Sequence, residues 1–585
     1  MTLEDLNYVK ELALKYALYN AVKHDGKALL GPVISKIVAE RPDLKPKIKS
    51  IISIVKEVID YVNSLSINEQ KRLLEEKWPE LLEEKVVERK HELSPLPNVE
   101  KYKIVVTRFA PNPDFVLHLG NARPAILCYE YAKMYKGKMI LRFEDTDPRI
   151  KRPLPEAYDI IKEDLKWLGI KWDEEYIQSL RMEKYYEVLK GLIKRGGAYV
   201  DLCSPQEFRK YLWSSKPCPH RNKSVEENLE LLDKMLEGHF GEGEAVVRIK
   251  TDLNYPDPSV REWVAFRIID TSKTPHPIVG DKYILWPTYN FAAAVDDHLM
   301  GVTHILRAKE HMTNTIKQKF LYKHMGWKYP EAIHFGRLKL EGFILSKSKM
   351  KELMESDKSF EGIDDIRFGT LSSLRKRGIS PKAIHELIME VGVKGTDAAI
   401  SFDNLAAINR KIIDPIAPRY MFVEKPIVVN ISNFPTELVA KIPYHPSNKE
   451  LGERTIKVKG PQAKVYISST DLELLRKYKM IRLMDLANIK ITRIEEKEVH
   501  AIFRGTSLQE ARNLGLPIIQ WVPYEDNVNV IVKKPKELTL EIIEGLSEPS
   551  IIDEKEGRVV QFFRFGFVKL HSISKHEVLA YYTHD

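Results

Sequence analysis

The pattern of apolar and polar positions changes character along the chain. Up to about residue 98 apolar residues recur at helical spacing, in "LNYVKELALKYALYNAVKH", "PKIKSIISIVKEVIDYVNSL" and "NEQKRLLEEKWPELLEEKVVERK". That pattern predicts helices only over 1–98. A linker with two prolines, "HELSPLPNVEKYK", follows. From 99 to 200 short apolar runs alternate with amphipathic ones. "KIVVTRF", "KMILRFEDTDP" and "KWDEEYIQS" read as strands, and "NARPAILCYEYAKMYKG" and "LPEAYDIIKEDLKWLGI" as the helices between them. Strands and helices in that order predict a parallel sheet. The rhythm breaks over 201–285, read as an α+β insertion, and resumes over 286–350. Helices are predicted for 351–415. Short strands separated by Pro, Asn and Gly predict an all-β, barrel-like region over 416–585. The fold class is therefore multidomain α/β, with helices at the N-terminus and a β-rich C-terminus.

Composition narrows the setting. A chain of 585 residues, 43% of them hydrophobic, can form several cores. Ninety-two Lys and Arg against 83 Asp and Glu leave a net charge of +9. This permits a polyanionic partner without requiring one. Three cysteines in a chain this long exclude a disulfide framework and point to a reducing, cytoplasmic setting. The N-terminus has no signal-peptide pattern, and no run approaches the ~18 apolar residues of a membrane span.

Two stretches carry candidate chemistry. "VLHLGN", residues 116–121, lies between the first predicted strand and its helix. Ligands of doubly wound sheets bind at strand carboxyl ends, where a helix N-terminus favours phosphate. His118 and Asn121 are donors there, and Gly120 permits close approach. The same turn reads equally as an ordinary connection with a capping Asn. Far downstream, "FILSKSKMK" brings Ser346, Lys347 and Ser348 to a strand-to-loop transition. It suits a triphosphate, and reads also as a solvated basic loop.

Together the two stretches resemble the "HIGH" and "KMSKS" motifs of class I aminoacyl-tRNA synthetases. "TRFAPNPDFVLHLGNARPA", "LRFEDTDP" and "PTYNFAAAVDDHLMGVTHILRAKEH" resemble the glutamyl/glutaminyl branch, and the β-rich C-terminus and N-terminal helices resemble its archaeal glutamyl type. The resemblance implies a Rossmann-type catalytic domain, an acceptor-stem-binding insertion, a helical connecting domain and C-terminal anticodon-binding barrels. It implies ligation of L-glutamate to tRNA(Glu) through a glutamyl-adenylate, with ATP and Mg²⁺ as cofactors. tRNA(Gln) as a second substrate and a protein partner for the N-terminal helices stay open.

By the same resemblance, Ala110, Pro111, Asn112, Pro113, His118, Gly120, Asn121, Ser346, Lys347 and Ser348 would surround ATP. Of these, Lys347 would sit on the pyrophosphate side. Arg108 would bind the substrate carboxylate, Glu144 its α-ammonium, and Tyr289 would line the pocket. Arg307 stands where glutaminyl enzymes carry a small uncharged residue. A guanidinium there pairs with the glutamate side chain and rejects glutamine. Each of these charged residues also reads as a member of a structural ion pair.

Some positions depart from the family pattern. Asn121 replaces the second His of "HIGH", and Phe115 stands where a Gly is usual. Ile344 and Leu345 replace the Lys and Met of "KMSKS", and Ala293 stands where bacterial relatives have Asn. Asp201, Cys203, Cys218 and His220 resemble a zinc knuckle with Asp in one Cys place; two unlinked thiols beside a surface His are the other reading. Cys128 reads as core. A glutaminyl enzyme, opposed by Arg307, and a synthetase-derived RNA-binding protein without catalysis are the competing readings.

Overall fold

The computed structural model describes residues 3–23, 26–41, 44, 48–78, 81 and 93–585. The chain divides into two units, Met1–Lys90 and His91–Asp585. The boundary precedes the predicted one at 98 because Leu93 and Leu96 are buried in the core of the second unit.

The first unit holds α1 (Leu3–Lys23), α2 (Leu30–Glu40), α3 (Ile48–Ser64) and α4 (Ile67–Lys77). Their apolar stripes meet through Leu12, Leu18, Ile37, Val55, Val62 and Leu74. Ser66 and Glu69 form a capping box at the start of α4. The helix stops at Trp78, which precedes a proline and so disfavours helical backbone. Most of the rest of that predicted helix, 79–80 and 82–90, lies outside the described residues.

The second unit opens with β1 (Val106–Phe109), α5 (Leu119–Met134), β2 (Lys138–Phe143), α6 (Pro155–Trp167), β3 (Glu174–Ile177) and α7 (Met182–Lys194). The three strands pair in parallel in the order β1-β2-β3. The insertion follows: β4 (Ala198–Asp201), α8 (Pro205–Trp213), α9 (Val225–Leu236), β5 (Val246–Ile249), β6 (Val264–Ile268) and β7 (Leu285–Pro287). Its strands form a four-stranded antiparallel sheet. That sheet begins three residues before the predicted insertion and ends two after it, because both flanking segments pair as its edge strands.

The parallel texture returns with α10 (Tyr289–Leu299), β8 (His304–Ala308), α11 (Met312–Met325) and β9 (Glu331–Phe335). Thr303 joins β8 to β1: its N–H donates to the Val106 carbonyl at 3.0 Å and its hydroxyl accepts from the Val106 N–H at 2.8 Å. The resulting order β3-β2-β1-β8-β9 places the exits of β1 and β8 side by side, where the strand order reverses. Beyond lie β10 (Leu338–Glu341), α12 (Lys347–Ser356), α13 (Leu371–Arg377), α14 (Pro381–Val391), β11 (Ala398–Ser401) and α15 (Phe402–Ile413). The expected strand before the Ser-Lys-Ser stretch is β10, which pairs with β11. Residues 419–584 build two seven-stranded sheets, one packed around Val429, Ile467 and Trp521, the other around Val532, Phe562 and Leu570, with Glu437–Pro443 and Glu453–Lys459 as a separate antiparallel pair. The region is not purely β, since Leu472–Lys477 and Leu508–Asn513 are helical, the second capped by the Ser507 hydroxyl, which accepts from the Glu510 N–H.

Candidate active site

The turn after β1 is a built N-cap. His118 precedes α5; its N–H donates to Asn121 Oδ1 at 3.0 Å, and its Nδ1 accepts from the Gly120 N–H at 3.0 Å. A Cβ on Gly120 would lie 2.8 Å from His118 Cε1, so the ring demands glycine two residues on. Burial pushes the imidazole down to about 4, which keeps it neutral near pH 7. With Nδ1 accepting, the ring proton sits on Nε2, which remains as a donor. Asn121 was expected to donate to phosphate. Its side-chain oxygen instead closes the cap, which leaves its amide nitrogen for that task.

The loop before this turn is pinned. The Pro111 carbonyl accepts from the Glu144 N–H at 3.0 Å and the Pro113 carbonyl from the Leu154 N–H at 2.8 Å. Ala110 and Asn112 are partly exposed between them. Phe115, in the place of the usual Gly, is buried with Val116, Met350, Phe360 and Phe368. Thus the loop of β1 packs on α12.

Ser346, Lys347 and Ser348 do not form an open loop. Ser346 caps α12, and Lys347 and Ser348 lie in its first turn. A short segment binds both motifs. The Gly369 carbonyl accepts from the Leu119 N–H at 3.1 Å, the Leu371 N–H donates to the Leu117 carbonyl at 3.0 Å, and the Gly369 N–H donates to the Ile344 carbonyl at 2.9 Å. Lys347 Nζ lies 2.6 Å from Asp114 Oδ2, so the predicted phosphate-binding lysine is ion-paired with the loop of β1.

Beside this frame, the ends of β1, β2 and β8 and the start of α10 enclose a charged pocket. Arg108 Nε donates to Asp297 Oδ1 at 3.1 Å, and Arg142 Nη1 donates to the same oxygen at 2.7 Å. Arg142 Nη2 donates to Glu144 Oε1 at 3.0 Å. Burial alone would raise the Asp297 carboxyl, but the two guanidiniums hold it below the usual carboxylate range. Burial raises Glu144 in spite of Arg142 and Arg108. The Tyr289 hydroxyl lies 3.5 Å from His311 Nδ1 and accepts from Arg307 Nη1 at 3.5 Å.

Arg307, on β8, is buried, and its hydrogen-bond partners among the described residues are neutral. Nη2 donates to Thr315 Oγ1, to Gln318 Oε1 at 3.1 Å and to the Tyr329 hydroxyl at 3.0 Å. Its Nε has no partner among the described residues. The pocket thus holds three guanidiniums (Arg108, Arg142, Arg307) against two carboxylates (Glu144, Asp297). A ligand with one net negative charge completes that balance.

All four predicted pocket residues come together. Asp114, Asp297, His311 and Gln318 were missed. The adjacent carboxylates of "AVDDH" were the available signal for Asp297; nothing marked the others. Ala293 is fully buried, and Asn290, on the same helix, supplies the side-chain amide near the pocket.

Apart from this pocket, donor atoms of Asp201, Cys203, Cys218 and His220 lie within 4.8 Å of one another. Cys203 Sγ is 3.4 Å from His220 Nδ1, and Asp201 Oδ1 is 3.1 Å from His220 Nδ1 and 3.7 Å from Cys218 Sγ. Donors around a tetrahedral zinc sit about 3.3–3.8 Å apart, a range that takes in two of these three distances. Arg248 Nε grips the other oxygen, Asp201 Oδ2, at 2.6 Å and turns Oδ1 inward. Cys128 is core, its thiol against the Arg108 carbonyl. Between the insertion and the pocket runs a cleft of about 420 Å³ whose walls include Phe208, Arg209, Arg261, Trp263, Tyr289 and Lys317.

Comparison with known proteins finds matches along nearly the whole chain. The family described as "tRNA synthetases class I (E and Q), catalytic domain" matches residues 104–415. Two families described as "tRNA synthetases class I (E and Q), anti-codon binding domain" match 417–506 and 518–571. A glutamate–tRNA ligase of Hyperthermus butylicus is 58% identical over 581 residues, 97% of this chain and 100% of that protein. Its counterpart in Staphylothermus marinus is 56% identical, covering 97% and 100%. The glutamate–tRNA ligase of Sulfolobus acidocaldarius is 50% identical, covering 99% of each. A solved glutamate–tRNA synthetase of Elizabethkingia anophelis aligns with 53% of this chain and 71% of its own, at 23% identity and a TM-score of 0.38.

Proposed function

The chain belongs to the class I tRNA synthetases of the glutamyl and glutaminyl (E and Q) family, and from that premise we propose that it joins L-glutamate to tRNA(Glu) at the expense of ATP. The observation that carries glutamate over glutamine is Arg307, a buried cation with no carboxylate partner among the described residues. A side-chain carboxylate satisfies it, whereas a carboxamide leaves a buried charge uncompensated.

In the first step an α-carboxylate oxygen of glutamate attacks the α-phosphorus of ATP and pyrophosphate leaves. In the second a hydroxyl of the terminal adenosine attacks the acyl carbon and AMP leaves. Neither step needs a covalent enzyme intermediate, so positioning and charge stabilisation supply the catalysis. Glu144 accepts the α-ammonium, Arg108 and Arg307 face the carboxylates, and Tyr289 walls the pocket. His118 Nε2, the N-terminus of α5 and Lys347 receive the phosphates. Mg²⁺ bound with ATP supplies further neutralisation of the triphosphate. The cleft beside Arg209, Arg261 and Lys317 takes the acceptor end of the tRNA, with aromatic walls for its unpaired bases. Asp201, Cys203, Cys218 and His220 would hold a structural zinc, which would tie the start of the insertion together.

ATP–pyrophosphate exchange, run with tRNA present and with glutamate or glutamine as the amino acid, tests this reading. Exchange dependent on glutamate and near background with glutamine is expected. Equal exchange with both, or none with glutamate, overturns it.

A further inference from the structure

The residues that hold Arg307 form a closed polar ring without a charge of their own. The atom of Gln318 that faces the guanidinium is an oxygen, because a guanidinium only donates. That oxygen also accepts from the Tyr329 hydroxyl at 2.6 Å. The Gln318 amide nitrogen donates to Asn290 Oδ1 at 3.4 Å, and Asn290 Nδ2 donates to Asn314 Oδ1 at 3.1 Å. Asn314 Nδ2 reaches His311 Nδ1 at 3.1 Å, and His311 returns to Tyr289 and so to Arg307. Burial, with Arg307 close by, pushes His311 down to about 4, and burial raises the Tyr289 and Tyr329 phenols. Every member of the ring is neutral near pH 7.

Gln318 is fully buried on α11 and supplies the acceptor deepest in this ring. A glutamate would match its shape there and place a permanent counterion beside Arg307. The pocket would then balance its charge with no ligand present.

We propose that Gln318 is a specificity-determining residue: it fixes Arg307 through a neutral carbonyl and thereby leaves the guanidinium's charge to a carboxylate on the substrate. This rests on the assignment of Arg307 to the glutamate side chain. The role belongs to a positioning residue, since Gln318 acts through Arg307.

The full-length protein, Q318E and Q318L are compared by ATP–pyrophosphate exchange with tRNA present, measuring kcat/KM for glutamate and for glutamine, the KM for ATP, and the melting temperature. In Q318E the KM for glutamate rises ~100-fold and the preference for glutamate over glutamine falls by a similar factor, with the KM for ATP unchanged. Q318L, which removes the acceptor but adds no charge, is less active with both amino acids and keeps its preference within ~10-fold. An unaltered preference in Q318E, or an equal fall in both variants, overturns the proposal. Should Q318E show no cooperative melting, Q318L decides alone: a fall in kcat/KM for glutamate with the KM for ATP unchanged supports the proposal, and unaltered glutamate kinetics refute it. Absence of glutamate-dependent exchange in the unmodified protein refutes the underlying function instead.

Discussion

At the scale of single residues, charge bookkeeping separates side chains that look alike in the sequence. Asp296 and Asp297 are neighbours on α10, yet successive helix positions point about 100° apart. Asp296 turns to Arg181 Nε at 2.9 Å and the Tyr185 hydroxyl at 2.6 Å, away from the pocket. Asp297 bridges Arg108 and Arg142 inside it. Asp297→Asn keeps the shape and removes the charge that aligns both guanidiniums, so kcat/KM for glutamate is expected to fall ~100-fold while the KM for ATP stays put. A matching loss in the KM for ATP would mean that Asp297 supports the whole fold rather than the amino-acid pocket. Arg108, Glu144, Tyr289 and Arg307 were reached through the resemblance to the glutamyl/glutaminyl family, and the structure brings their side chains together. Asp297 was not assigned, because a sequence lists two carboxylates without their directions. Gln318 was invisible, as nothing in "TNTIKQKF" marks a glutamine that turns back to Arg307 on the preceding strand, β8.

At the scale of elements, the two motif turns were read as separate loops, and the structure makes them one assembly. Phe115 explains how: an apolar side chain in place of Gly gives the β1 loop something to bury against Met350 of α12. Its neighbour Asp114 then reaches Lys347. A triphosphate arriving at the N-terminus of α5 competes with Asp114 for that ammonium. Asp114→Asn is therefore expected to lower the KM for ATP ~5-fold, the scale of a partly exposed ion pair, with melting unchanged. Steady-state exchange kinetics at varied ATP check this, and an unchanged KM would show that Lys347 pairs with Asp114 without competing for the nucleotide. The insertion offers a second case. Fourteen residues, α8 among them, separate Cys203 from Cys218, so spacing alone could not say that their sulfurs meet. The geometry of the four donors predicts about one zinc per chain in elemental analysis of the purified protein, lost in Cys218→Ser along with several degrees of melting temperature. Purified protein that contains no zinc, or a Cys218→Ser variant that melts at the same temperature as the parent, would remove zinc from the fold.

At the scale of the whole second unit, the order of its parts was legible from the pattern of apolar positions, whereas the fastenings between parts were not. α13 is the clearest fastening. Arg377 Nη2 donates to the Thr583 carbonyl at 3.1 Å, and Lys569 Nζ donates to the Arg375 carbonyl at 2.8 Å, which join the helix to the last β-sheet. On its other side Arg375 comes within 3.9 Å of Asp164 on α6, at the flank of the parallel sheet. Asp164 is fully buried, and neither carboxylate oxygen has a hydrogen-bond partner among the described residues. Burial pushes its carboxyl up to about 7, with Arg375 too distant to reverse the effect. In the unfolded chain the same group titrates near the ordinary value of about 4. Between those values the folded protein holds a proton that the unfolded chain has released. Stability from this residue is therefore fully present below pH ~4 and is lost as the pH rises through about 7. Asp164→Asn keeps the neutral form at every pH. Its melting temperature should match that of the unmodified protein at pH 4 and exceed it at pH 8, by at least ~1 kcal/mol in unfolding free energy. Parallel stability curves for the two proteins across that range would place the charge in contact with solvent or with Arg375 and cancel the penalty. Because α13 is held from both sides, the variant should also unfold as cooperatively as the parent, the parallel sheet and the C-terminal sheets melting together.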